Sequence, residues 1–102
     1  MTIYIGNEKI QVHFLVLKAR CELISEEVIE VNGLKYHERW SHLSKNVVSA
    51  FVSYLYTGIV DMELVIPGDI NAAKYFANNY PMLKSWKLFV DCMTRNDDDQ
   101  TY

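Results

Sequence analysis

The sequence is short of cysteine, proline and glycine, with two Cys, two Pro and four Gly in 102 residues. A secreted domain of this size usually carries several disulfides. Cys21 and Cys92 therefore predict reduced thiols in an intracellular protein, and a single disulfide between them is the alternative. The four Gly are scattered and form no phosphate-binding loop, so nucleotide binding has no support.

Basic clusters and long apolar runs are also missing. No stretch approaches the ~20 apolar residues of a membrane-spanning helix, and the polar residues from Gly6 to Lys9 argue against a signal peptide. Ten Lys and Arg against thirteen Asp and Glu give a net charge of -3, so the chain lacks the basic surface of a nucleic-acid binder. We expect a cytoplasmic or nuclear protein that binds neither nucleic acid nor membrane.

The length of 102 residues allows one domain and excludes a two-domain enzyme or a (β/α) barrel. Residues 1–95 form the predicted domain, and residues 96–102, with three consecutive Asp, form an acidic tail that we expect to be disordered. Seven Tyr, four Phe and two Trp are many rings for one small core, so we expect some of them on a contact surface.

The start of the chain predicts a hairpin followed by a short helix. Apolar and polar residues alternate on both sides of Gly6-Asn7, a pair that suits a tight turn. A helix from about His13 to Arg20 would carry an apolar stripe of Phe14, Leu17 and Leu15.

The stretch from residue 21 to residue 43 is mixed. Cys21 to Glu27 predicts a second short helix, with Leu23 and Ile24 as its apolar residues. The β-branched residues that follow favour a strand, and Asn32-Gly33 is a strong turn signal. Leu34 to Tyr36 would pair back across this turn, and Trp40 to Leu43 would form another strand.

Helices dominate the second half. Ser44 is placed to cap a helix from Lys45 to Tyr56, and Gly58 is placed to end it. The apolar face of this helix is predicted to contain Val47, Val48, Phe51, Val52 and Leu55.

A short extended segment, Met62 to Ile66, and a turn at Pro67-Gly68-Asp69 would follow. Asp69 would cap a helix from Ile70 to Asn79, and Pro81 fits the first turn of a last helix, about Met82 to Thr94. A hairpin followed mostly by helices is the α+β pattern.

Catalytic and metal-binding chemistry find little support. Cys21 and His13 would be a thiol nucleophile and a base, but no third residue is there to orient the base. Cys21, Cys92, His13, His37 and His42 lack the closely spaced ligand pairs of zinc sites. We expect no catalytic residue, no cofactor and no metal.

Two segments resemble the BTB/POZ domain family. Ile10 to Cys21 is similar to the family's strand and helix of the form H-x-x-x-L-x-A-R-S/C, and Val47 to Gly58 is similar to its second motif, which ends in Y-L-Y-T-G. Ala72 to Phe76, followed by Leu83, resembles the last helical pair, so the resemblance covers about residues 3–93. It implies a small β-sheet at one end capped by about five helices.

The resemblance also implies a function in protein–protein interaction. Many members dock on a cullin scaffold as substrate-receptor adaptors of ubiquitin ligases, and this is the leading expectation. The alternative is a homo- or hetero-oligomerisation domain of a transcriptional regulator or scaffold protein, without a ubiquitin-ligase role. A monomeric adaptor of the elongin and Skp type is a third form with the same fold.

Cullin docking in the family often uses a hydrophobic residue, any residue and then Glu. Val28-Ile29-Glu30 and Tyr36-His37-Glu38 both fit this form, and an ordinary packing role for Val28 and Tyr36 is the alternative. Residues near the end of the second motif extend the set. The candidate docking residues are therefore Val28, Glu30, Tyr36, Glu38, Tyr54, Tyr56, Val60 and Met62.

Three departures from the family pattern bear on self-association. The chain begins at the first strand, without the N-terminal helix and strand that many members exchange in a dimer. Its first strand lacks the family's usual Asp-Val lead-in, and its segment from Glu26 to Trp40 is atypical. We therefore expect a monomer or a weak dimer, with itself or another BTB domain as a second partner after the cullin.

Overall fold

The computed structural model describes residues 1–61 and 69–99, which fold as an α+β domain with a small mixed sheet. The described residues form four strands and five helices. They are β1 (Thr2–Ile5), β2 (Glu8–Gln11), α1 (Phe14–Arg20), α2 (Glu22–Glu26), β3 (Ile29–Val31), β4 (Leu34–His37), α3 (Lys45–Thr57), α4 (Ile70–Asn79) and α5 (Lys84–Asp99).

The sheet has the strand order β2-β1-β4-β3 and consists of two hairpins joined side by side. β1 pairs antiparallel with β2, and β3 pairs antiparallel with β4, whereas β1 and β4 are parallel. The turn between β3 and β4 has φ values of 53° at Asn32 and 80° at Gly33. Both central residues are left-handed, as a two-residue type I′ hairpin requires, and Asn-Gly is the pair that tolerates this.

The core lies on one side of the sheet. Ile3 and Ile5 of β1 and His37 of β4 are buried on this inner face. The helices and the turns next to them supply the rest of the core, including its largest rings. The largest fully buried side chains are Trp40, Trp86, Tyr80, Phe51 and Phe76.

Helix α3 is bounded at both ends by the predicted residues. The Ser44 side chain accepts a hydrogen bond from the Val47 backbone N–H, and Gly58 takes the left-handed conformation with φ of 75°. These are the ordinary N-terminal and C-terminal stops of a helix. The predicted apolar face is confirmed, because all five of its residues are buried: Val47, Val48, Phe51, Val52 and Leu55.

The middle of the chain differs from the sequence prediction at one element. The strand expected at Trp40 to Leu43 is wrong, because these residues form turns between β4 and α3. The turns carry the Trp40 ring into the core, where it meets Phe51 and Phe76 edge-on. Burial of one large ring therefore decides the conformation here, and intrinsic strand propensity does not.

Smaller differences occur at helix positions. Leu15, predicted on the apolar stripe of α1, is 75% exposed, whereas Leu17 is fully buried. Asp69 precedes α4 but makes no side-chain cap hydrogen bond.

Helix α5 begins at Lys84, two residues after its expected start, and continues to Asp99. It thus includes the first four residues of the predicted acidic tail, residues 96–99. The disorder of the tail stays a prediction. Residues 100–102 lie outside the described residues, as do the segment Met62 to Ile66 and the turn residues Pro67 and Gly68. Across the described ranges, none of the helices combines the length and the apolar character needed to span a bilayer.

Candidate interaction surface

The junction between the end of α3 and the start of α1 is held by one histidine and one tyrosine. The His13 backbone N–H donates to the Tyr56 hydroxyl oxygen at 2.8 Å, and His13 Nδ1 lies 2.8 Å from the same oxygen. Since the tyrosine oxygen accepts from the backbone, its own hydrogen is available to Nδ1. His13 is the N-terminal cap residue of α1, so this contact fixes where α1 begins against the end of α3.

The end of α3 is shaped by its last threonine and by Gly58. Thr57 Oγ1 donates to the Ser53 carbonyl at 2.9 Å and accepts from the Ile59 backbone N–H at 3.1 Å. The chain then turns away, with Ile59 71% exposed and Val60 half-buried against the core. Tyr56 remains 39% exposed beside this turn, so part of its ring is available for a partner.

A line of contacts runs from this junction to the β3–β4 hairpin. Phe14, the residue after His13, lies under the Lys35 ammonium, with 5.1 Å between Nζ and the ring centroid. Lys35 Nζ is in turn 3.9 Å from a carboxylate oxygen of Glu30 on β3. These exposed contacts contribute little to stability. They nevertheless connect Tyr56 to Glu30, 26 positions apart in sequence, through a series of neighbouring side chains.

The first predicted docking triplet covers the entry into β3. Val28 is half-buried between α2 and β3, whereas Ile29 and Glu30 are exposed on the strand. An exposed acidic residue next to a partly exposed apolar residue remains accessible to a partner.

The second triplet covers the end of β4. Tyr36 is half-buried and meets the ring of Tyr4 edge-on at 6.0 Å, and Glu38 is exposed just beyond the strand. His37 between them is fully buried. Glu30 of the first triplet and Glu38 of the second are therefore both accessible, whereas His37, the central residue of the second triplet, belongs to the core.

The remaining candidates differ in accessibility. Tyr54 is only 8% exposed, and its ring packs against Phe51 and Trp86, so its place in the described structure is the core. Val60 is half-buried, and Met62 lies outside the described residues. Of the two tyrosines of α3, the structure thus leaves Tyr56 partly exposed and buries Tyr54 on another face of the helix.

Sequence reasoning missed a buried polar network centred on Glu27. One Glu27 carboxylate oxygen accepts from the Tyr80 hydroxyl at 2.6 Å and lies 3.1 Å from His37 Nε2. The Tyr80 hydroxyl also accepts from the Trp40 indole N–H at 3.0 Å, and Arg39 reaches the second carboxylate oxygen at 3.6 Å. The network ties the end of α2 to β4, to the following turns and to the end of α4.

The protonation of His37 and Tyr80 follows from this enclosure. Burial lowers the pKa of His37 below its ordinary value of 6.5, although the hydrogen bond and charge of Glu27 oppose this. Burial, followed by the hydrogen bond to Glu27, raises the pKa of the Tyr80 hydroxyl far above its ordinary value. His37 Nδ1 is buried without a hydrogen-bond partner. In the neutral ring, Nδ1 is an acceptor without a partner. In the charged ring it would be a buried N–H without a partner, which costs more free energy.

One sequence signal pointed to the network. An Asn32-Gly33 hairpin sets position 28 opposite position 37, so Glu27 comes within one residue of His37 across the strands. No local sequence pattern predicts the contact of Tyr80 with Glu27, because the two residues are 53 positions apart.

The residues considered for catalysis and metal binding make separate contacts. The buried Cys21 thiol donates to the Met82 sulfur at 3.7 Å, whereas His13 binds Tyr56. Cys21 and Cys92 are both free thiols. Among the described side chains of residues 1–61 and 69–94, no group of three or more His, Cys, Asp or Glu is arranged to hold a metal ion.

Comparison with protein-family models, with curated proteins and with solved structures found no match for this chain.

Proposed function

We propose that this chain is a protein-interaction domain of the BTB/POZ type and that it docks on a cullin scaffold as the adaptor part of a ubiquitin ligase. The observation that carries the proposal is the contact between His13 and Tyr56 at 2.8 Å. His13 belongs to one of the two sequence segments that resemble the family and Tyr56 to the other. A helix that merely happened to end in Tyr-Leu-Tyr-Thr-Gly would need no bond to a residue 43 positions away.

The arrangement of the elements supports the same proposal. A hairpin, two short helices, further strands and three longer helices follow one another in the order that the resemblance implies. Within the second motif, Leu55 is buried, Tyr56 is turned outward and Gly58 ends the helix. Each of these positions thus has a physical role in the described fold.

The proposed docking surface runs from Tyr56, through His13 and Phe14, to Lys35 and Glu30. It offers a partly exposed aromatic ring surrounded by polar and charged groups. Interfaces concentrate their binding energy in such central rings, and the polar surroundings exclude water.

The test is a titration of the purified protein with a cullin N-terminal domain, followed by calorimetry and by light scattering on a sizing column. The proposal expects a stoichiometric complex. Tyr56→Ala and Glu30→Ala should each weaken it by more than ~1 kcal/mol, the effect of a central interface residue. Leu88→Ala is the matched control, because Leu88 is 63% exposed on α5 and lies outside the proposed surface.

Two results separate the parts of the proposal. A complex that Glu30→Ala leaves unchanged would remove Val28-Ile29-Glu30 as the docking triplet. Absence of a complex with every cullin tested would overturn the adaptor role. Melting curves of the variants show whether each one is folded.

Self-association is the second candidate function, and the exposed leucines of the first two helices favour it. Leu15 is 75% exposed on α1, and Leu23 is 37% exposed on α2. Light scattering of the protein alone distinguishes the two functions. A dimer whose mass does not change on dilution would favour oligomerisation, and a monomer or weak dimer agrees with the adaptor role.

A further inference from the structure

The sheet has an outer face whose apolar side chains are exposed. This outer sheet face consists of Tyr4, Ile29, Val31, Leu34 and Tyr36, which the strand register places on the side opposite the core. Leu34 is 74% exposed, Val31 52% and Tyr4 43%. Four of these residues line a groove of about 590 Å³ together with Phe14. Contiguous apolar surface of this kind marks an interaction site.

The outer face ends at an edge strand that carries little protection. Among the described residues, β2 and β3 are the two edges of the sheet. β2 displays the charged pair Glu8 and Lys9, which is a usual way to discourage further pairing. β3 instead displays two β-branched apolar residues, and all three of its residues are exposed. It contains no Pro, no Gly and no bulge in its pairing with β4.

The backbone of Glu30 is oriented to extend the sheet. In a two-residue hairpin the residues that flank the turn form a hydrogen-bonded pair, and the pairs alternate from there. Val31 and Leu34 flank the turn, so Ile29 and Val31 bond to β4. The N–H and C=O of Glu30 therefore point away from β4, toward the open edge.

Charge decides which strand fits this edge. The one charged residue of β3 is Glu30, whose side chain is 56% exposed and lies 3.9 Å from Lys35 of β4. If a second copy paired antiparallel through all of β3, Glu30 would face Glu30 of the partner, and like charges directly opposite destabilise such a pair. A strand with basic side chains at the matching positions would be attracted to the edge.

We propose that the β3 edge and the outer sheet face bind an extended segment of another protein in which apolar and basic residues alternate. The segment adds a fifth strand beside β3. Its apolar side chains lie next to Ile29 and Val31 on the outer sheet face, and its basic side chains lie on the Glu30 side. Backbone hydrogen bonds supply affinity and the alternation supplies specificity, as in other strand additions to sheet edges. The site shares Glu30 and Phe14 with the proposed cullin docking surface, but the outer sheet face lies outside that surface, and the strand addition does not depend on cullin docking.

The first test uses a short end-blocked peptide that alternates lysine and valine. Two further peptides serve as controls, one with the same composition in blocks and one that alternates glutamate and valine. We expect calorimetry to show binding of the alternating lysine peptide alone, with affinity that falls as salt rises. Amide hydrogen exchange should show slower exchange at the Glu30 N–H when this peptide is present.

The second test uses variants of the edge and of the face. Leu34→Ser and Val31→Ser should each weaken peptide binding about tenfold, because apolar contact area is lost. Leu88→Ser on α5 should leave it unchanged. Glu30→Pro removes the outward N–H without removing a ladder bond, so it should abolish the binding. Glu30→Gln keeps the N–H and should weaken binding only by the loss of charge.

Several outcomes would overturn the proposal. They are absence of binding of the lysine–valine peptide, equal binding of the block peptide, and unchanged binding by Leu34→Ser. Protection of the Glu30 amide in the protein alone, reversed by dilution, would identify a second copy as the occupant and would also overturn it. Melting curves confirm that each variant is folded, and cullin binding of Leu34→Ser reports separately on the proposed adaptor role.

Discussion

Apolar and aromatic side chains lie on both sides of the sheet, but in opposite environments. On the inner side, Trp40, Phe51, Phe76, Tyr80 and Trp86 are all fully buried. The Phe51 and Phe76 rings stack with centroids 3.9 Å apart, and both Trp rings meet them edge-on. On the outer side, tyrosine, valine, isoleucine and leucine side chains remain in contact with water.

This contrast separates stability from recognition. The apolar area that the fold removes from water belongs to the inner side, so the free energy of unfolding depends on residues there. The outer sheet face contributes little to folding and keeps its apolar area available for a partner. Substitutions of equal chemistry on the two faces should therefore have different consequences.

The largest expected effect is that of Phe51→Ala. Phe51 is in ring contact with Trp40, Tyr54, Phe76, Tyr80 and Trp86. Loss of a buried phenylalanine ring should lower the free energy of unfolding by ~3–5 kcal/mol, a large part of the stability of a small domain. Urea denaturation measures the change. Tyr4→Ala on the outer sheet face is the comparison and should cost far less; equal effects would refute the contrast.

The next largest effect is expected from Tyr80→Phe. The change keeps the ring but removes the hydroxyl that donates to Glu27 and accepts from Trp40. A buried carboxylate oxygen and a buried indole N–H each lose a partner, so unfolding should become easier by ~1–3 kcal/mol. Tyr4→Phe, an exposed hydroxyl, is the control and should be neutral. A neutral Tyr80→Phe would show that water replaces the lost bonds.

Acid should destabilise the inner side through His37. Because burial lowers its pKa in the folded state, the unfolded chain binds the proton more readily. The His37 contribution to stability is thus complete above its ordinary value of 6.5, and it is lost as the pH falls from there toward the lowered pKa of the folded state. One such group changes the free energy of unfolding by at most ~1.4 kcal/mol per pH unit.

Urea denaturation between about pH 8 and pH 5 measures this dependence. His37→Gln should flatten it, whereas His42→Gln, at an exposed histidine, should not. Nuclear magnetic resonance titration of the wild-type His37 ring reports its pKa directly. This measurement tests the prediction even if the His37→Gln variant does not fold. A pKa at or above 6.5 would contradict the assignment.

The smallest expected effect on stability is that of Leu34→Ser. Leu34 is 74% exposed on the outer sheet face, so the free energy of unfolding should change by no more than ~0.5 kcal/mol. Thermal and urea denaturation measure it. A loss as large as that of Tyr80→Phe would mean that the outer face is part of the core after all.

Elements with local signals could be predicted from the sequence. Asn32-Gly33 specified its hairpin, and Ser44 and Gly58 specified the ends of α3, because each acts within a few residues of itself. The parallel pairing of β1 with β4 had no such signal, since it joins Thr2 to Tyr36 across α1 and α2.

The failures have a common physical reason. The residues around Trp40 favour a strand by their local propensity. Ring contacts of Trp40 with Phe51, Phe76 and Tyr80, which are distant in sequence, instead hold this segment in turns. The helical spacing of apolar residues in α1 predicts that Leu15 is buried. No described element covers that side of α1, and Leu15 is 75% exposed. Tyr54 and Tyr56, the two candidate docking tyrosines of α3, are two positions apart, and only the packing of α3 separates the buried from the exposed one.

The Glu27 network also has a consequence for how the sequence can change over time. Its carboxylate is acceptable in the interior because Tyr80, His37 and Arg39 all turn toward it. Loss of Glu27 alone leaves His37 Nε2 and the Tyr80 hydroxyl without their partner, and loss of Tyr80 alone leaves the Trp40 N–H unpaired. Joint replacement by apolar residues of similar shape removes the requirement. Homologous chains should therefore keep the glutamate, the histidine and the tyrosine together or lose them together, and positions 27, 37 and 80 should co-vary in an alignment.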